Sequence, residues 1–238
     1  MARRVPDGPA PEPAVQKLRV RYAKRGRMRF TSTRDFQRAL ERALRRAGVP
    51  MAYSAGFHPH PRISYANAAP TGAASEAEYV ELSLTREVDP AELAAALDAA
   101  LPEGLDVVAV AEAGPGALAD RLEASVWSME FPGEDPAGLA AAVDQLMGQD
   151  VLEVTRVMKQ GPRQVDVRAA LVSARVHPDG PGSRLEVTVR HTTPTVRPEE
   201  VWRALAQVTG REWTRPRSTR LSQGRLAEDG TVRDPLTG

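Results

Sequence analysis

Hydrophobic and polar residues alternate near the start of the chain and then change to a helical repeat. Residues 18–23 alternate between large apolar and mostly basic side chains, and this period of two predicts a half-buried β-strand. The alternation resumes at Met28 and Phe30, which predicts a second strand after a short turn. From Arg34 onward apolar residues recur every three or four positions, as in an amphipathic helix, and Ser32 is placed to cap its start.

The same succession of strands and helices continues to residue 111 and then recurs in the second half. Further strands are predicted at 49–53, 63–65, 77–88, 104–111, 124–131, 151–158, 184–191 and 213–221, and further helices at 89–100, 135–147 and 198–208. Strand, helix, strand, strand, helix, strand is the order of a ferredoxin-like split βαβ unit. The sequence therefore predicts an α+β protein of two ferredoxin-like split βαβ domains with antiparallel sheets.

Length and composition suit that organisation. A chain of 238 residues, 42% hydrophobic and 26% charged, can form two small globular domains. The expected division is a disordered leader at 1–14, an N-terminal domain at 15–112, a linker at 113–121, a C-terminal domain at 122–222 and a flexible tail at 223–238. The absence of cysteine excludes disulfides and iron–sulfur ligation. With no apolar run long enough for a membrane span, we expect no membrane association and a cytoplasmic protein.

Charge is distributed unevenly along the chain. Residues 17–62 contain thirteen lysines or arginines and only two acids, Asp35 and Glu41. Such asymmetry indicates a polyanionic partner such as RNA. The alternative is a compositional bias, because arginine outnumbers lysine by 29 to 3 across the chain and a GC-rich genome alone favours arginine.

The loop Gly56-Phe-His-Pro-His-Pro-Arg62 carries the sharpest candidate chemistry. His58 and His60 can titrate near neutral pH, contact phosphate or act as general acid and base. They lack an obvious third metal ligand, so we expect no metal and no cofactor. Phe57 and Tyr65 suit stacking on bases, but they can equally anchor the loop to the core, and anchoring is the preferred interpretation for Phe57.

The run Arg29-Phe-Thr-Ser-Thr-Arg-Asp-Phe, the segment Tyr53-Ser-Ala-Gly-Phe-His-Pro-His-Pro-Arg-Ile-Ser-Tyr65 and the segment from Ala68 to Tyr79 together resemble one family. This family is the radical-SAM-associated domain of unknown function, here similar to its free-standing actinobacterial type. The resemblance implies an accessory role beside a radical-SAM enzyme. Because this chain has no cysteine to hold the cluster, it cannot be such an enzyme itself.

The resemblance also implies a site surface made of the residues that this chain shares with the family pattern. They are Phe30, Ser32, Asp35, Arg42, Tyr53, Gly56, Phe57, Pro59, His60, Pro61, Ser64, Gly72, Glu76, Glu78 and Tyr79. Thr33 stands where the family has a histidine, which weakens any acid–base role for that position.

These observations favour a non-catalytic recognition module, with RNA, a radical-SAM enzyme or an RNA-processing protein as its expected partner. The expected binding surface comprises Arg29, Arg38, Arg42, Arg46, Tyr53, Phe57, His58, His60, Arg62, Tyr65, Glu78 and Tyr79. One alternative is a metal-independent endoribonuclease in which His60, assisted by Arg29 or Arg46, cleaves RNA, with His58 as a second catalytic candidate. Another is a protein–protein adaptor that binds no nucleic acid.

Overall fold

A computed structural model describes residues 11–158 and 161–237 of the chain. Most of the predicted leader lies outside the described residues. The described part divides into two compact units, one of residues 11–71 and 76–120 and another of residues 72–75 and 121–237. The predicted α+β class is confirmed, with strand pairing that is mostly antiparallel. No described helix is long and apolar enough to cross a membrane.

The first unit contains two helices and four strands, apart from the first two residues of the third strand. Its elements are β1 (Gln16–Lys24), α1 (Thr33–Arg46), β2 (Ile63–Ala66), β3 (Ala74–Leu84), α2 (Pro90–Ala100) and β4 (Leu105–Glu112). The strand order is β4-β1-β3, with β2 paired antiparallel to β3 at the edge. Asp89 caps α2 by accepting hydrogen bonds from the backbone N–H groups of Ala91 and Glu92, as its place before Pro90 predicts.

The core of the first unit lies between this sheet and the two helices. Alternate residues of β1 and β3 share one face of the sheet, and the apolar stripes of α1 and α2 cover that face. The buried side chains are Leu18, Val20, Tyr22, Val80, Leu82 and Leu84 from the strands and Phe36, Leu40, Leu44, Leu93 and Leu97 from the helices. Because each such side chain stabilises the fold by about 1.5–3 kcal/mol, this layer fixes the orientation of α1.

The prediction that β1 is only half-buried, with one polar face, needs correction. Arg19 is only 1% exposed, and its Nε donates to the Glu81 carboxylate at 3.0 Å. The same guanidinium donates to the carbonyls of Gly114 and Gly116 at 3.0 and 2.7 Å. The second face of β1 is therefore buried at Arg19, where a carboxylate and two carbonyls compensate the guanidinium.

The second strand predicted around Met28 is also wrong. Residues Gly26–Phe30 form a 3₁₀ helix instead. Gly26 has a φ of 50°, and the backbone N–H of Met28 donates to the carbonyl of Arg25 at 2.9 Å. The chain thus turns tightly after β1 and delivers Ser32 to the start of α1, where its hydroxyl caps the helix by accepting from the N–H of Asp35.

The second unit repeats the succession of elements with an inserted hairpin. It contains β5 (Ala124–Phe131), α3 (Pro136–Met147), β6 (Glu153–Met158), β7 (Gly161–Asp166), α4 (Val167–Ala170), β8 (Leu171–Asp179), β9 (Gly182–Arg190), α5 (Pro198–Thr209), β10 (Arg217–Leu226) and β11 (Val232–Arg233). The main strand order is β10-β5-β9-β8, while β6 and β7 form a separate antiparallel pair. Ala74 and Ser75 pair in parallel with Thr219 and Arg220 of β10.

The C-terminal segment and His191 have defined contacts in the second unit. Part of the expected tail lies in strands, because β10 runs to Leu226 and pairs there with β11. His191 directly follows β9 and is half-buried. Its Nδ1 lies 2.7 Å from the Leu122 carbonyl and its Nε2 lies 2.7 Å from the Ser125 hydroxyl. Burial lowers the pKa of His191, so this ring favours its neutral form.

Gly104 offers a test of the packing between the 3₁₀ helix and the start of β4. A Cβ at Gly104 would lie 3.0 Å from the Arg25 carbonyl oxygen and 3.1 Å from the Met28 Cγ, and its φ is 85°. We expect Gly104→Ala to lower the free energy of unfolding by about 2–4 kcal/mol, combining backbone strain with overpacking. Urea denaturation followed by circular dichroism measures the change.

The matched control is Gly48→Ala, since Gly48 has a φ of 65° but a Cβ added there would meet no atom within 4 Å. That substitution should cost only the backbone strain, about 1 kcal/mol. Equal losses in the two variants would show that the 3₁₀ helix moves aside and that the close approach at Gly104 has no energetic weight.

Candidate functional site

Four arginines line the outer face of α1. Arg34, Arg38, Arg42 and Arg45 are exposed, on the side of the helix opposite its buried apolar residues. We call these four residues the arginine stripe. Arg46 does not belong to it, because its Nη1 donates to the Ala100 carbonyl at 3.2 Å and so joins the C-terminal end of α2.

The segment from 54 to 62 is an excursion closed at its base. Tyr53 and Pro61 form an isolated β-bridge, and the backbone N–H of Ser54 donates to the His60 carbonyl at 2.9 Å. The Ser54 hydroxyl in turn accepts from the His60 N–H at 3.0 Å. These contacts fix both ends of the loop. Phe57 is 62% exposed, so the expectation that it anchors the loop to the core is wrong.

The base of this excursion and the arginine stripe meet at a cavity of about 170 Å³, which we call the loop cavity. Arg45 and Glu41 of α1 line one side, and Tyr53 and His60 line another. The cavity thus combines a guanidinium, a carboxylate, a phenol and an imidazole. These groups can contact a phosphate and a base together, and the imidazole can also exchange a proton.

A second cavity of about 230 Å³ lies at the N-terminal end of α1, and we call it the lysine cavity. Lys24 lies in its wall and is only 5% exposed, while Glu78 and Tyr79 are each 2% exposed. Tyr22 and Phe36 stack at 4.5 Å with an interplanar angle of 8°. Asn67, which also lines this cavity, adopts a φ of 43°, a conformation that non-glycine residues rarely take.

Tyr65 lines the lysine cavity and meets the Phe36 ring edge-on at 6.3 Å. Its hydroxyl is buried and has no hydrogen-bond partner among the described residues. Burial, reinforced by the negative charge of Glu41, raises the pKa of Tyr65 to about 12. The phenol is therefore neutral across the physiological range.

The structure divides the predicted site residues between several places. His60 and Tyr53 belong to the loop cavity, whereas Tyr65, Glu78 and Tyr79 belong to the lysine cavity. The remaining candidates lie outside both, and they are Arg29, Arg38, Arg42, Arg46, Phe57, His58 and Arg62. The expected surface is thus two neighbourhoods along α1 instead of one pocket.

Arg29 and Glu76, two further residues singled out from the sequence, contact neighbouring side chains. The Arg29 guanidinium lies 5.3 Å from the centre of the Phe30 ring, a cation–π distance. Glu76 accepts a hydrogen bond from the Nε of Arg25 at 2.8 Å, and Asp106 accepts another from that guanidinium at 2.7 Å. The hydrogen bond to Glu76 raises the pKa of Arg25 above its ordinary value, so Glu76 anchors the turn after β1.

Sequence reasoning missed Lys24 and Arg45, which supply the positive charges of the two cavities. Lys24 follows Leu18, Val20 and Tyr22 at the same strand parity, so the alternation alone places it on the core side. Lysine is seldom buried without a partner. A lysine at a core-facing position of the strand was therefore the sequence feature that could have identified Lys24 as a candidate site residue. The role of Arg45 depends on a loop that returns to α1, for which the sequence pattern gives no indication.

Among the described residues, no group of three histidine, aspartate or glutamate side chains could hold a metal ion. The structure is an α+β protein in which the basic helix α1 and the adjoining loop line one cavity. Residues 17–198 match a family described as an uncharacterized protein conserved in bacteria (DUF2344). The chain belongs to this family.

Comparison with other proteins adds little beyond the family. None of the curated proteins matches the chain. A crystal structure of an unknown protein from Galdieria sulphuraria is similar over 82% of this chain and 92% of that one, at 15% identity and a TM-score of 0.24. A score this low carries no inference about the function.

Titration of Tyr65 tests the geometry of the lysine cavity. The folded-state pKa lies above the ordinary value of 10.0, so the folded protein binds this proton more tightly than the unfolded chain. The contribution of Tyr65 to stability is therefore complete below pH 10 and is lost as the pH rises toward 12. We expect the free energy of unfolding of the native protein, relative to Tyr65→Phe, to fall over that window.

Ultraviolet absorbance titration of the phenols supplies the direct measurement. The component with a pKa of about 12 should disappear in Tyr65→Phe and persist in the matched variant Tyr53→Phe, which alters a 40% exposed phenol. Loss of that component from Tyr53→Phe instead would show that the Tyr65 hydroxyl is solvated.

Proposed function

We propose that this protein is a non-catalytic recognition module that binds single-stranded RNA through the arginine stripe and the loop from Tyr53 to Arg62. The observation that carries the proposal is the loop cavity, because Arg45 of the stripe lines it together with Tyr53 and His60. Charge for the RNA backbone and rings for its bases are thereby adjacent. Their combination is what sequence-tolerant binding of single strands requires.

Exposed aromatic side chains support this proposal. Phe57 is 62% exposed, Phe30 is 65% exposed and Tyr53 is 40% exposed. Large aromatic side chains are usually buried, so three exposed rings in one unit need a reason. Stacking on unpaired bases supplies one, and each stacked base contributes about 1–3 kcal/mol.

Two finer proposals accompany this function. We propose that each unit is a ferredoxin-like domain. In both β4-β1-β3-β2 and β10-β5-β9-β8, the order across the sheet is the last, first, third and second strand of the unit. We also propose that the protein acts in the cytoplasm as an accessory to a radical-SAM enzyme or an RNA-processing protein. The resemblance carried by the Gly56–Arg62 loop supports that partner.

Binding of a labelled single-stranded RNA oligonucleotide, followed by fluorescence anisotropy, tests the main proposal. We expect the double variant Arg38→Ala plus Arg42→Ala to weaken binding about tenfold at low salt, because two exposed cations of the stripe are lost. The slope of log affinity against log salt should become shallower by about 1.4, the effect of two fewer phosphate contacts on a single strand.

The matched control is Arg163→Ala plus Arg190→Ala, which removes two exposed arginines from the second unit. It changes the net charge equally and should leave the affinity near that of the native protein. Equal weakening by both pairs would indicate nonspecific attraction. No binding by the native protein at low salt would contradict the proposal and favour a protein–protein adaptor.

An endoribonuclease is the second candidate, favoured by the position of His60 beside Arg45 in the loop cavity. In this scheme His60 accepts the proton of a ribose 2′-hydroxyl, whose oxygen attacks the adjacent phosphorus while the 5′-oxygen leaves with a proton from water. The product is a 2′,3′-cyclic phosphate. Arg45 takes the place of the expected Arg29 or Arg46, neither of which lines this cavity.

Incubation of the protein with labelled RNA in the presence of a chelator tests this second candidate. A specific cut by the native protein should fall by at least about a hundredfold in His60→Ala, since a general base contributes about 10²–10⁴-fold. His58→Ala is the matched control, because His58 lies outside the loop cavity. Intact RNA, or a cut that persists in His60→Ala, would exclude catalysis by His60.

A further inference from the structure

Two charged side chains occupy core-facing positions at the lysine cavity. On β1 the apolar row that includes Val20 and Tyr22 ends in Lys24, and on β3 the row that includes Leu82 and Val80 ends in Glu78. Both charged side chains are at least 95% buried, since Lys24 is 5% exposed and Glu78 is 2% exposed. Buried charge is costly unless polar groups compensate it, so this end of the core is built for polar contacts.

The two charges lie beside one residue. The Lys24 ammonium donates to the Ala69 carbonyl at 3.3 Å, and the Glu78 carboxylate accepts from the Ala69 N–H at 2.9 Å. A hydrogen-bond donor and an acceptor of opposite charge therefore face one small space. A ligand that suits both has its own acceptor and donors next to one another on a single edge.

Aromatic side chains form part of the remaining wall, beside the small polar residues 31–33, and the cavity limits the size of the occupant. Tyr22, Phe36 and Tyr65 line the cavity, and the Tyr65 hydroxyl has no partner among the residues that the structure describes. The volume of about 230 Å³ is below the roughly 300–1,000 Å³ typical of sites for drug-sized ligands. One planar ring system with polar groups on its edge matches this space.

We propose that the lysine cavity binds one unpaired guanine base of the RNA, an inference that rests on the proposed function. The Watson–Crick edge of guanine carries the O6 acceptor beside the N1–H and N2–H donors. Glu78 accepts from the two donors, and Lys24 donates to O6. Adenine lacks the carbonyl, uracil offers one N–H donor, and cytosine has no ring N–H.

The backbone of such an RNA can continue onto the arginine stripe. Thr33 lines the cavity and is followed directly by Arg34, the first residue of the stripe. The charges inside the cavity are balanced, so the phosphates are left to the arginines outside. The base is thus read in the cavity while the strand is held along α1.

Anisotropy with a set of uridine oligonucleotides that differ only in one central base tests the inference. The oligonucleotide with a central guanine should bind about tenfold more tightly than those with adenine, cytosine or uracil. Glu78→Gln should abolish this preference, because the acceptor for the two guanine N–H donors is lost.

Substitution of the buried Glu78 can unfold the protein, so a variant at the opening of the lysine cavity supplies an independent test. Ala68 is exposed and lines the cavity, so Ala68→Trp should block the opening and remove the guanine preference. Ala95→Trp, at an exposed position of α2 outside the cavity, is the matched control and should retain it. Unchanged thermal unfolding of the Ala68→Trp variant shows that the fold is intact.

The outcomes separate this inference from the proposed function. Equal binding of all four oligonucleotides, or a preference that survives Ala68→Trp, overturns the guanine site and leaves RNA binding in place. If no oligonucleotide binds, the RNA proposal fails, and titration of guanosine monophosphate decides the inference alone. Tyr65 signals in nuclear magnetic resonance spectra should then shift with guanosine monophosphate and not with adenosine monophosphate, and the absence of such a shift overturns the inference.

Discussion

Burial of the apolar stripe of α1 against β1 and β3 is the constraint on which the candidate site depends. Phe36, Leu40 and Leu44 are each at most 6% exposed, and they allow only one orientation of the helix. The arginine stripe is consequently directed outward, because i, i+4 spacing keeps it opposite those residues. The same packing leaves a cavity near each end of the helix, where the apolar layer stops.

The sequence pattern predicted the elements of this layer well because they depend on local chemistry. Period-two and period-3.6 repeats located β1 and α1, and the Asp-Pro pairs before α2 and α3 located both helix starts. The 3₁₀ helix at Gly26–Phe30 was missed because Met28 and Phe30 also fit an alternating strand. Tertiary hydrogen bonds, such as that from the Arg25 N–H to the Gly104 carbonyl, decided the outcome.

The candidate site was less predictable because its parts are distant in the sequence. The Gly56–Arg62 loop was located by its residues, but its return to Arg45 depends on hydrogen bonds between Ser54 and His60 at the base of the loop. Glu78 was located through a family resemblance, whereas Lys24 was not identified at all. The two meet because β1 and β3 are neighbours in the sheet, a pairing that no local pattern specifies.

In the proposed function, Lys24 and Glu78 give one helix a second mode of binding. An apolar end to the β1 and β3 rows would have closed the core at the start of α1 and left only its outer arginines for recognition. Charged residues at those positions keep polar groups inside a space that the rings of Tyr22, Phe36 and Tyr65 also line. The energetic cost of burying charge is offset by hydrogen bonds to Ala69. In the proposed guanine site, the polar edge so created supplies the base discrimination that the arginine stripe lacks.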